Sequence, residues 1–160
     1  MISAGNSDDA RHLAFLRALH FLKFRARSRR ELLDYLVKKG FGPAIAARVV
    51  ERLEASGLSG DAEFARLWVA SRLRHRPRGK YLLAAELTQK GVAPDIIADV
   101  LSDVDEESAA RSAARTKLRQ WRNRDAAEMF RKLLSFLRGK GFPHAMCRQI
   151  ALEMTEDDAG

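Results

Sequence analysis

The segment YLVKKGF at residues 35–41 recurs in altered form as ELTQKGV at 86–92 and FLRGKGF at 136–142. Its Lys-Gly pair is compatible with either a phosphate-binding loop or the end of a helix. A Walker loop needs Gly-x-x-x-x-Gly-Lys followed by Ser or Thr, and no copy has a hydroxyl residue after its lysine. A lysine in the last helical turn and a left-handed glycine after it both stabilise a helix C-terminus. The recurrence therefore predicts three helix ends.

The residues around the three glycines repeat as well. Gly40, Gly91 and Gly141 are about fifty residues apart, and leucines lie four and eight residues before each of them. Aliphatic or methionine side chains follow each glycine after five and nine residues. The matched positions are Leu32, Leu36, Ile45 and Val49; Leu83, Leu87, Ile96 and Val100; and Leu133, Leu137, Met146 and Ile150. This spacing predicts two amphipathic helices joined at each glycine, in three tandem units.

A third amphipathic segment precedes each pair, at residues 9–24, 61–74 and 107–121. Its apolar residues at helical spacing are Leu13, Phe15, Leu16, Leu19, Phe21 and Leu22; Phe64, Leu67, Trp68 and Leu73; and Ala110, Ala114, Leu118 and Trp121. Because no segment sustains a period-two alternation, we expect no strands. The sequence thus predicts an all-α fold of three tandem three-helix repeats that resemble helix-turn-helix units.

Capping and polar residues indicate the repeat boundaries. Ser28 and Glu31 have the spacing of a capping box, and the acidic stretch at 103–108 suits a helix N-terminus. We expect repeats at residues 9–56, 57–103 and 104–154, a disordered N-terminus at 1–8 and a disordered acidic tail at 155–160.

The composition limits the chemistry that the chain can perform. The 160 residues carry a formal net charge of +8, which attracts polyanions. The single cysteine, Cys147, excludes a disulfide framework and a cysteine-based zinc site. The histidines form no His-x-x-x-His pair and no catalytic motif is present, so we predict no enzyme and no cofactor. No signal peptide or membrane-spanning run is visible, so we expect a cytoplasmic protein. We also expect a monomer.

Three clusters of basic residues are the candidate contact surfaces for an anionic partner. They are Arg25, Arg27, Arg29 and Arg30; Arg72, Arg74, Arg76, Arg78 and Lys80; and Arg115, Arg119, Arg122 and Arg124. The second cluster surrounds Pro77 and Gly79, and it either contacts phosphates or an acidic protein groove, or is a solvated loop. The third cluster continues a stripe of arginines that begins at Arg111 on one helix face. Repulsion between these like charges destabilises the helix, so a functional role explains the stripe better than chance does.

Two other interpretations of the helix pairs stay open. In a sequence-specific helix-turn-helix regulator the second helix enters the major groove, but the segment at 94–103 carries Asp95, Asp99 and Asp103 and no basic residue. A helical nuclease or hydrolase would use scattered carboxylates. Trp68 and Trp121 could anchor an interface, but their helical spacing beside leucines and alanines favours the core.

The order of several short motifs resembles the RecX family, which regulates the bacterial recombinase RecA. The shared pattern runs Arg-x-x-Ser-x-x-Glu-Leu, Lys-Gly, Leu with Gly-Leu, Asp-x-x-Phe-Ala, and Gly with Glu-Leu-x-x-Lys-Gly. Here it falls on Arg25, Ser28, Glu31, Leu32, Lys39, Gly40, Leu53, Gly57, Leu58, Asp61, Phe64, Ala65, Gly79, Glu86, Leu87, Lys90 and Gly91. The resemblance extends over residues 10–153, with LLSFLRGKGF at 133–142 as the last repeat.

This resemblance implies a non-catalytic, elongated and curved helical protein that binds in the groove of the RecA–DNA filament. It further implies inhibition of ATP hydrolysis, strand exchange and filament growth in recombination and DNA repair. We expect DNA binding to be independent of sequence and to use the three basic clusters. The alternative is a helix-turn-helix regulator that binds DNA without RecA.

Overall fold

The computed structural model describes residues 4–121 and 124–156 of the chain. Within these ranges the chain is entirely helical apart from turns, with no strand. The helices are α1 (Ala4–Leu22), α2 (Arg29–Lys38), α3 (Pro43–Ala55), α4 (Asp61–His75), α5 (Lys80–Gln89), α6 (Pro94–Ser102), α7 (Glu106–Gln120), α8 (Ala126–Gly139) and α9 (His144–Glu156). The predicted all-α fold is confirmed for the described residues, and the repeat glycines Gly40, Gly91 and Gly141 follow α2, α5 and α8, respectively.

The described ends of the chain, at Ala4 and Glu156, are helical. The sequence predicts disordered termini at 1–8 and 155–160, of which residues 1–3 and 157–160 lie outside the described residues. Near the start of α1, Arg11 pairs with Asp8. Near the end of α9, the hydroxyl of Thr155 donates a hydrogen bond of 2.6 Å to the carbonyl of Ala151. An ion pair three residues apart, such as that of Arg11 and Asp8, adds a small stabilisation to the exposed start of a helix.

The repeat glycines end their helices in the way that the sequence predicts. Gly40 has a left-handed φ of 96°, and its amide donates to the carbonyl of Val37 at 3.0 Å. The amide of Phe41 donates to the carbonyl of Leu36 at 3.1 Å, which completes a Schellman motif. The same pair of bonds follows Gly91 and Gly141, each with φ of 82°.

The helix starts carry side-chain and proline caps. The Ser28 hydroxyl accepts a bond from the Glu31 amide at 3.1 Å, and the Glu31 carboxylate accepts one from the Ser28 amide at 3.0 Å. Asp105 accepts a bond from the amide of Ser108 at 3.0 Å and so begins α7. Both predicted N-terminal signals are confirmed. Pro43 occupies the first turn of α3, where its missing amide hydrogen costs nothing.

The described residues separate into two compact units. The first unit comprises the chain up to Leu67 together with Leu87–Ile97, and the second comprises Trp68–Glu86 and the chain from Ala98 onward. The division passes through α4, α5 and α6, so residues of the second predicted repeat belong to both units. The repeat boundaries at 56/57 and 103/104 stay a prediction.

The core of the first unit forms where α1, α2 and α3 pack pairwise. Its buried residues are Ala14, Ala18, Leu32, Leu36, Ala46, Val49, Val50 and Leu53. The leucines of α2 and Val49 of α3 lie there as the repeat predicts. On α1, however, Leu13 and Leu16 are about half exposed, at 49% and 48%, and the fully buried residues are alanines. Alanine allows two helix backbones to approach closely, which the larger leucine does not.

The core of the second unit forms in the same way from α7, α8 and α9. Its buried residues are Ala109, Ala110, Ala113, Ala114, Leu133, Leu137, Phe142, Cys147, Ile150 and Ala151. Leu118 and Trp121 pack against this cluster as partly buried residues. Complete burial of a leucine contributes about 1.5–3 kcal/mol to stability, so the repeated leucines dominate each core.

Gly139 and Gly141 provide a matched test of the helix-end assignment. A Cβ on Gly141 would require a left-handed conformation and would lie 2.6 Å from Leu82 Cγ, whereas a Cβ on helical Gly139 meets nothing within 4 Å. We expect Gly141→Ala to lower the free energy of unfolding by at least about 1–2 kcal/mol. Gly139→Ala should raise it or leave it unchanged, because alanine favours the helix. Urea denaturation of both variants measures the difference, and equal effects would contradict the assignment.

Candidate nucleic-acid interface

The first basic cluster is largely held by the protein itself. Arg25 makes an ion pair of 2.6 Å with Glu31, and the Arg29 guanidinium pairs with Glu54. The amide of Arg29 also donates to the carboxylate of Asp61 at 2.8 Å. Arg29 thereby joins α2 to α3 and to the start of α4, and Arg25 joins the turn before α2 to that helix. Arg25 and Arg29 therefore have a structural role, whatever else they contact.

The other two arginines of this cluster have different surroundings. The Arg27 guanidinium lies 3.8 Å from the centre of the Phe21 ring, and its Nε donates to the Phe21 carbonyl at 3.4 Å. Burial lowers the pKa of Arg27 from its ordinary value, and the charge of Arg25 lowers it further. Arg30 is exposed, with its side-chain stem close to Gly91. Arg25 and Arg30 are the two exposed members of this cluster, and Arg25 is paired with Glu31.

The carboxylate of Glu31 accepts hydrogen bonds from several donors of the first unit. In addition to Arg25 and the Ser28 amide, it accepts a hydrogen bond of 3.0 Å from Lys90 Nζ, which lies at the helix end of α5. Burial by itself raises the pKa of Glu31, but the bonds from Arg25, Ser28 and Lys90 outweigh it and lower the pKa to about 2. Glu31 is therefore ionised at neutral pH and connects α2 to the turn at Lys90.

A second carboxylate, Glu86, plays the corresponding part in the second unit. It accepts bonds from Trp68 Nε1 at 2.8 Å, from Arg72 Nε at 3.1 Å and from Arg78 Nη1 at 2.7 Å. The Arg72 guanidinium also lies 4.7 Å from the Trp68 ring centre. Two of the five cations in the second cluster are thus bound to α5. Trp68 is only half buried in this arrangement, whereas its helical spacing favours the core.

Gly79 holds the loop between α4 and α5 against the end of α8. Its amide donates to the carbonyl of Lys140 at 2.8 Å. A Cβ at Gly79 would lie 2.1 Å from the carbonyl oxygen of Gly141, so only glycine permits this approach of the two backbones. The loop that carries the second basic cluster is consequently fixed beside the turn after α8.

This packing creates a cleft of about 490 Å³ in the second unit, which we call the basic cleft. It is lined by Arg74, His75, Arg76, Pro77, Arg78, Ser112, Ala113, Thr116, Lys117, Gln120, Phe136 and Lys140. Three predicted arginines of the second cluster therefore meet two lysines from α7 and from the turn after α8. No aspartate or glutamate lies among the lining residues.

An aromatic ring holds the two lysines of the basic cleft in place. Lys117 Nζ and Lys140 Nζ lie 5.1 Å and 5.6 Å from the centre of the Phe136 ring. The ring of Trp121 is nearly perpendicular to that of Phe136, with the centroids 6.3 Å apart. Since a ring face attracts a cation, Phe136 restrains both ammonium groups without neutralising them.

The third basic cluster lies mainly outside this cleft. Arg115 and Arg119 are exposed residues of α7 that do not line it. Arg124 pairs with Glu128 at 2.8 Å, and Arg122 lies outside the described residues. Arg111, at the start of the predicted stripe, pairs with both Glu107 and Glu153. The stripe is thus less uniformly positive than the helix sequence alone indicates, because its first member is paired.

The two lysines of the basic cleft, Lys117 and Lys140, were not among the sequence candidates. Lys140 belongs to the GKGF segment, which is interpreted above only as a helix end. Lys117 lies between Arg115 and Arg119 on α7. The lysine before each repeat glycine is the signal that could have found Lys140. Nothing in the sequence indicates that Lys117 and the loop at 76–80 lie side by side.

The described residues offer no group of His, Cys, Asp and Glu side chains that could hold a metal ion. Cys147 is buried, burial raises the pKa of its thiol, and it donates a bond of 3.4 Å to the Phe142 carbonyl. In the part of the chain that is described, no helix has the length and apolar character needed to cross a membrane.

Comparison with known proteins identifies all three repeats. Models of the first, second and third three-helix domains of RecX match residues 14–53, 61–101 and 105–150, respectively. Regulatory protein RecX of Mycobacterium ulcerans (strain Agy99) is 36% identical over 138 residues, which cover 84% of this chain and 80% of that protein. The relative from Mycobacterium avium (strain 104) is 47% identical over 79 residues, and the match spans only 46% of that protein.

Solved structures show the same fold. The crystal structure of RecX from Lactobacillus salivarius superposes with a TM-score of 0.76 at 20% sequence identity, over 91% of this chain and 97% of that chain. A second crystal structure of regulatory protein RecX gives a TM-score of 0.76 at 21% identity, over 95% of this chain and 75% of that chain.

The ion pairs of Glu31 predict a specific dependence of stability on pH. Because the pKa of Glu31 falls from an ordinary 4.5 to about 2 on folding, its contribution is complete above pH 4.5 and is lost as the pH falls through 2. The shift corresponds to a free energy of up to about 3 kcal/mol. We expect Glu31→Gln to destabilise the protein at pH 7, and its deficit relative to the wild type to shrink between pH 4.5 and pH 2.

The matched control for this experiment is Glu51→Gln, which removes an exposed carboxylate of α3. At pH 7 it should change the free energy of unfolding by less than about 0.5 kcal/mol. Chemical denaturation at several pH values measures both variants. A deficit of Glu31→Gln that stays constant down to pH 2 would show that the carboxylate does not carry the predicted stabilisation.

Gly79 and Gly60 form another matched pair, because each directly precedes a helix. A Cβ at Gly60 meets nothing within 4 Å, whereas one at Gly79 overlaps the Gly141 backbone. We expect Gly79→Ala to lower the free energy of unfolding by about 1–3 kcal/mol more than Gly60→Ala does. Thermal and urea denaturation give this difference, and similar losses in both variants would refute the close backbone contact.

Proposed function

The chain belongs to the RecX family, and from that premise we propose that it is a regulatory protein that binds the RecA–DNA filament and restrains it. The restraint acts on ATP hydrolysis, strand exchange and filament growth in recombination and DNA repair. The observation that carries this proposal is the match of all three RecX three-helix domains, in order, to residues 14–150. The protein acts as a cytoplasmic monomer that lies in the filament groove.

The surface chemistry supports binding rather than catalysis. The basic cleft offers cations that contact phosphate, and the exposed Arg30, Arg115 and Arg119 extend the positive surface of their own helices. Such contacts give affinity for nucleic acid without sequence preference.

A helix-turn-helix regulator that works without RecA has less support. In that mode the helix after the glycine turn carries base contacts in the major groove. Here α6 exposes Asp95 and Asp99, and Asp103 follows at its end. Carboxylates repel the phosphates that flank a groove, so α6 is a poor recognition helix.

The proposal predicts that the purified protein slows ATP hydrolysis by RecA on single-stranded DNA. The rate should fall several-fold as the protein approaches saturation of the filament, because a groove-bound protein opposes the filament changes that accompany turnover. A coupled assay for ADP release measures the rate. No effect at saturating protein would overturn the proposal.

An excess of single-stranded DNA is the control for simple competition. A protein that only sequesters DNA loses its effect when DNA is added in excess, whereas one that acts on the filament keeps it. Relief of the inhibition by excess DNA would therefore favour a DNA-binding regulator that acts without RecA. A sequence-independent affinity for unrelated duplexes of equal length would exclude the specific helix-turn-helix mode.

A further inference from the structure

We propose that the outward face of α1 is a docking surface for a protein, with an apolar centre for the partner's apolar side chains and a cationic rim for its carboxylates. The partner is the protein of the RecA filament, and in this respect the inference rests on the proposed function. It deepens that function by separating the surface that contacts the filament protein from the basic residues that contact phosphate. The exposure, spacing and charge of the residues of α1 carry it.

The first observation is a set of apolar side chains that the core does not use. Leu13 and Leu16 of α1 are 49% and 48% exposed, and Phe24, in the turn after this helix, is 70% exposed. Ala14 and Ala18, two residues to either side of Leu16, are fully buried in the core of the first unit. Two residues of a helix correspond to a rotation of about 200°, so Leu16 lies on the face that points away from that core.

These side chains form one continuous row, which we call the α1 row and which consists of Leu13, Leu16, His20 and Phe24. The first three follow one another at spacings of three and four residues, which place them on one helix face. The ring of Phe24 continues the row, because it is nearly perpendicular to the ring of His20, with the centroids 5.3 Å apart. Single exposed leucines are usual on a protein surface, whereas a contiguous apolar patch is typical of an interaction site.

Cations border the α1 row on both sides. Arg17 lies on one side and Lys23 on the other, since the Lys23 amide still donates to the Leu19 carbonyl at 3.1 Å and so continues the helical turn. Both side chains are exposed, and within the described residues neither forms an ion pair. The carboxylates of Asp8 and Asp9 lie at the start of α1, before the row begins. An apolar centre with a polar rim is the usual composition of a protein interface, and this rim fits carboxylates.

A second copy of the chain is a poor occupant of this face. A parallel pair of α1 helices would place Arg17 and Lys23 against their own counterparts. An antiparallel pair centred on the α1 row would place Arg17 against His20. Each chain also carries a formal net charge of +8. Like charges that meet at an interface oppose association, so the rim favours a partner of opposite charge.

Nucleic acid is a poor occupant as well. Leu13 and Leu16 have no group that bonds to a phosphate or a base, and protein–DNA interfaces are more polar than protein–protein interfaces. Stacking of a base on Phe24 would leave both leucines beside phosphate or water. The apolar centre therefore favours a protein surface.

The small size of the α1 row indicates that it acts together with other contacts. It extends over about three helical turns, and three apolar side chains bury far less than the roughly 1,200–2,000 Å² of a stable interface. A filament that the chain also contacts through its basic residues supplies the additional binding, because linked contacts strengthen one another. This requirement fits the filament of the proposed function.

The test removes the apolar centre without changing the charge. Leu13→Gln with Leu16→Gln, the row variant, keeps good helix formers at two positions outside the core, so it should fold. Biolayer interferometry measures its affinity for RecA filaments that a non-hydrolysable ATP analogue holds on single-stranded DNA. The affinity should fall about ten- to a hundredfold, the range expected when two leucines lose a partial burial. Affinity for free single-stranded DNA, measured by fluorescence anisotropy, should stay within about twofold of the wild type, because the row makes no phosphate contact.

Val37→Gln with Leu67→Gln is the matched control. These residues of α2 and α4 are 47% and 49% exposed and lie outside α1. This variant should leave the filament affinity close to that of the wild type. Circular dichroism and thermal denaturation establish that both variants fold. An equal loss in the control and the row variant would overturn the assignment, and so would a row variant that binds the filament as the wild type does.

A further double variant tests the cationic rim. Arg17→Glu with Lys23→Glu should weaken filament binding several-fold at low salt and lose most of this difference at high salt, because salt screens exposed charges. Unchanged binding at low salt would show that the partner's surface is not acidic and would contradict the assigned rim.

Other occupants of the face give distinct results. If the row variant loses affinity for free single-stranded DNA, the face contacts nucleic acid and the inference is wrong. If sedimentation velocity shows a wild-type dimer that the row variant does not form, a second copy occupies the face and the inference is equally wrong.

The wild type and the row variant together separate this inference from the proposed function. A wild-type protein that slows RecA, with a row variant that binds and slows it equally well, would leave the proposed function standing and overturn this inference alone. A wild-type protein that neither binds nor slows the filament would overturn both.

Discussion

The contact between a glycine turn and the start of the preceding repeat's second helix is the constraint on which both units depend. In the second unit the Gly79 amide donates to Lys140 at 2.8 Å, and the backbones approach so closely that a Cβ at Gly79 has no room. In the first unit Gly91 lies against the side chain of Arg30, where a Cβ would come within 2.7 Å of the arginine Nε. The turn glycine thus takes the left-handed conformation that ends a helix, and its lack of a side chain allows a neighbouring helix to lie close to its backbone.

Two carboxylates reinforce these contacts. Glu31 connects α2 to Lys90, and Glu86 connects α5 to the helix and loop before it through Trp68 and two arginines. Each carboxylate is only about 15% exposed, and a partly buried charge is stable only when it is paired and hydrogen-bonded. The motifs that carry the family resemblance acquire a physical meaning here. Ser28 and Glu31 form the helix cap, and Lys90 pairs with Glu31. Gly79 permits the close backbone contact, and Glu86 accepts hydrogen bonds from Trp68, Arg72 and Arg78. They describe how one repeat joins the next rather than how the surface meets a partner.

These facts explain how much the sequence could predict. Helix ends depend on residues within a few positions, so the glycine period predicts all three Schellman turns and the capping box at Ser28 correctly. The burial of Leu32, Leu83 and Leu133 follows from the same period. The buried face of α1 does not follow from this period. Whether Leu13 and Leu16 or the alanines beside them are buried depends on how closely another helix approaches. The pairing of Lys90 with Glu31 joins residues 59 positions apart and leaves no local pattern. The basic cleft combines three distant segments and is equally invisible in the sequence.

The basic residues of this chain therefore fall into two groups, according to whether a carboxylate of the protein pairs with them and not according to their position in the sequence. Arg25, Arg29, Arg72 and Arg78 lie in the clusters that the sequence marks as contact surfaces, yet each has a carboxylate of the protein beside it. A carboxylate within 3–4 Å cancels most of the field that a phosphate would meet, and replacing it requires breaking a contact that holds the fold. Arg74, Arg76, Lys117 and Lys140 face no such competitor among the residues that line their cleft. An anionic partner would contact the second group first, so the density of arginines in a sequence overstates the cationic surface. The paired arginines fix the loop that carries the unpaired ones, and in this way the structural cations determine where the functional ones lie.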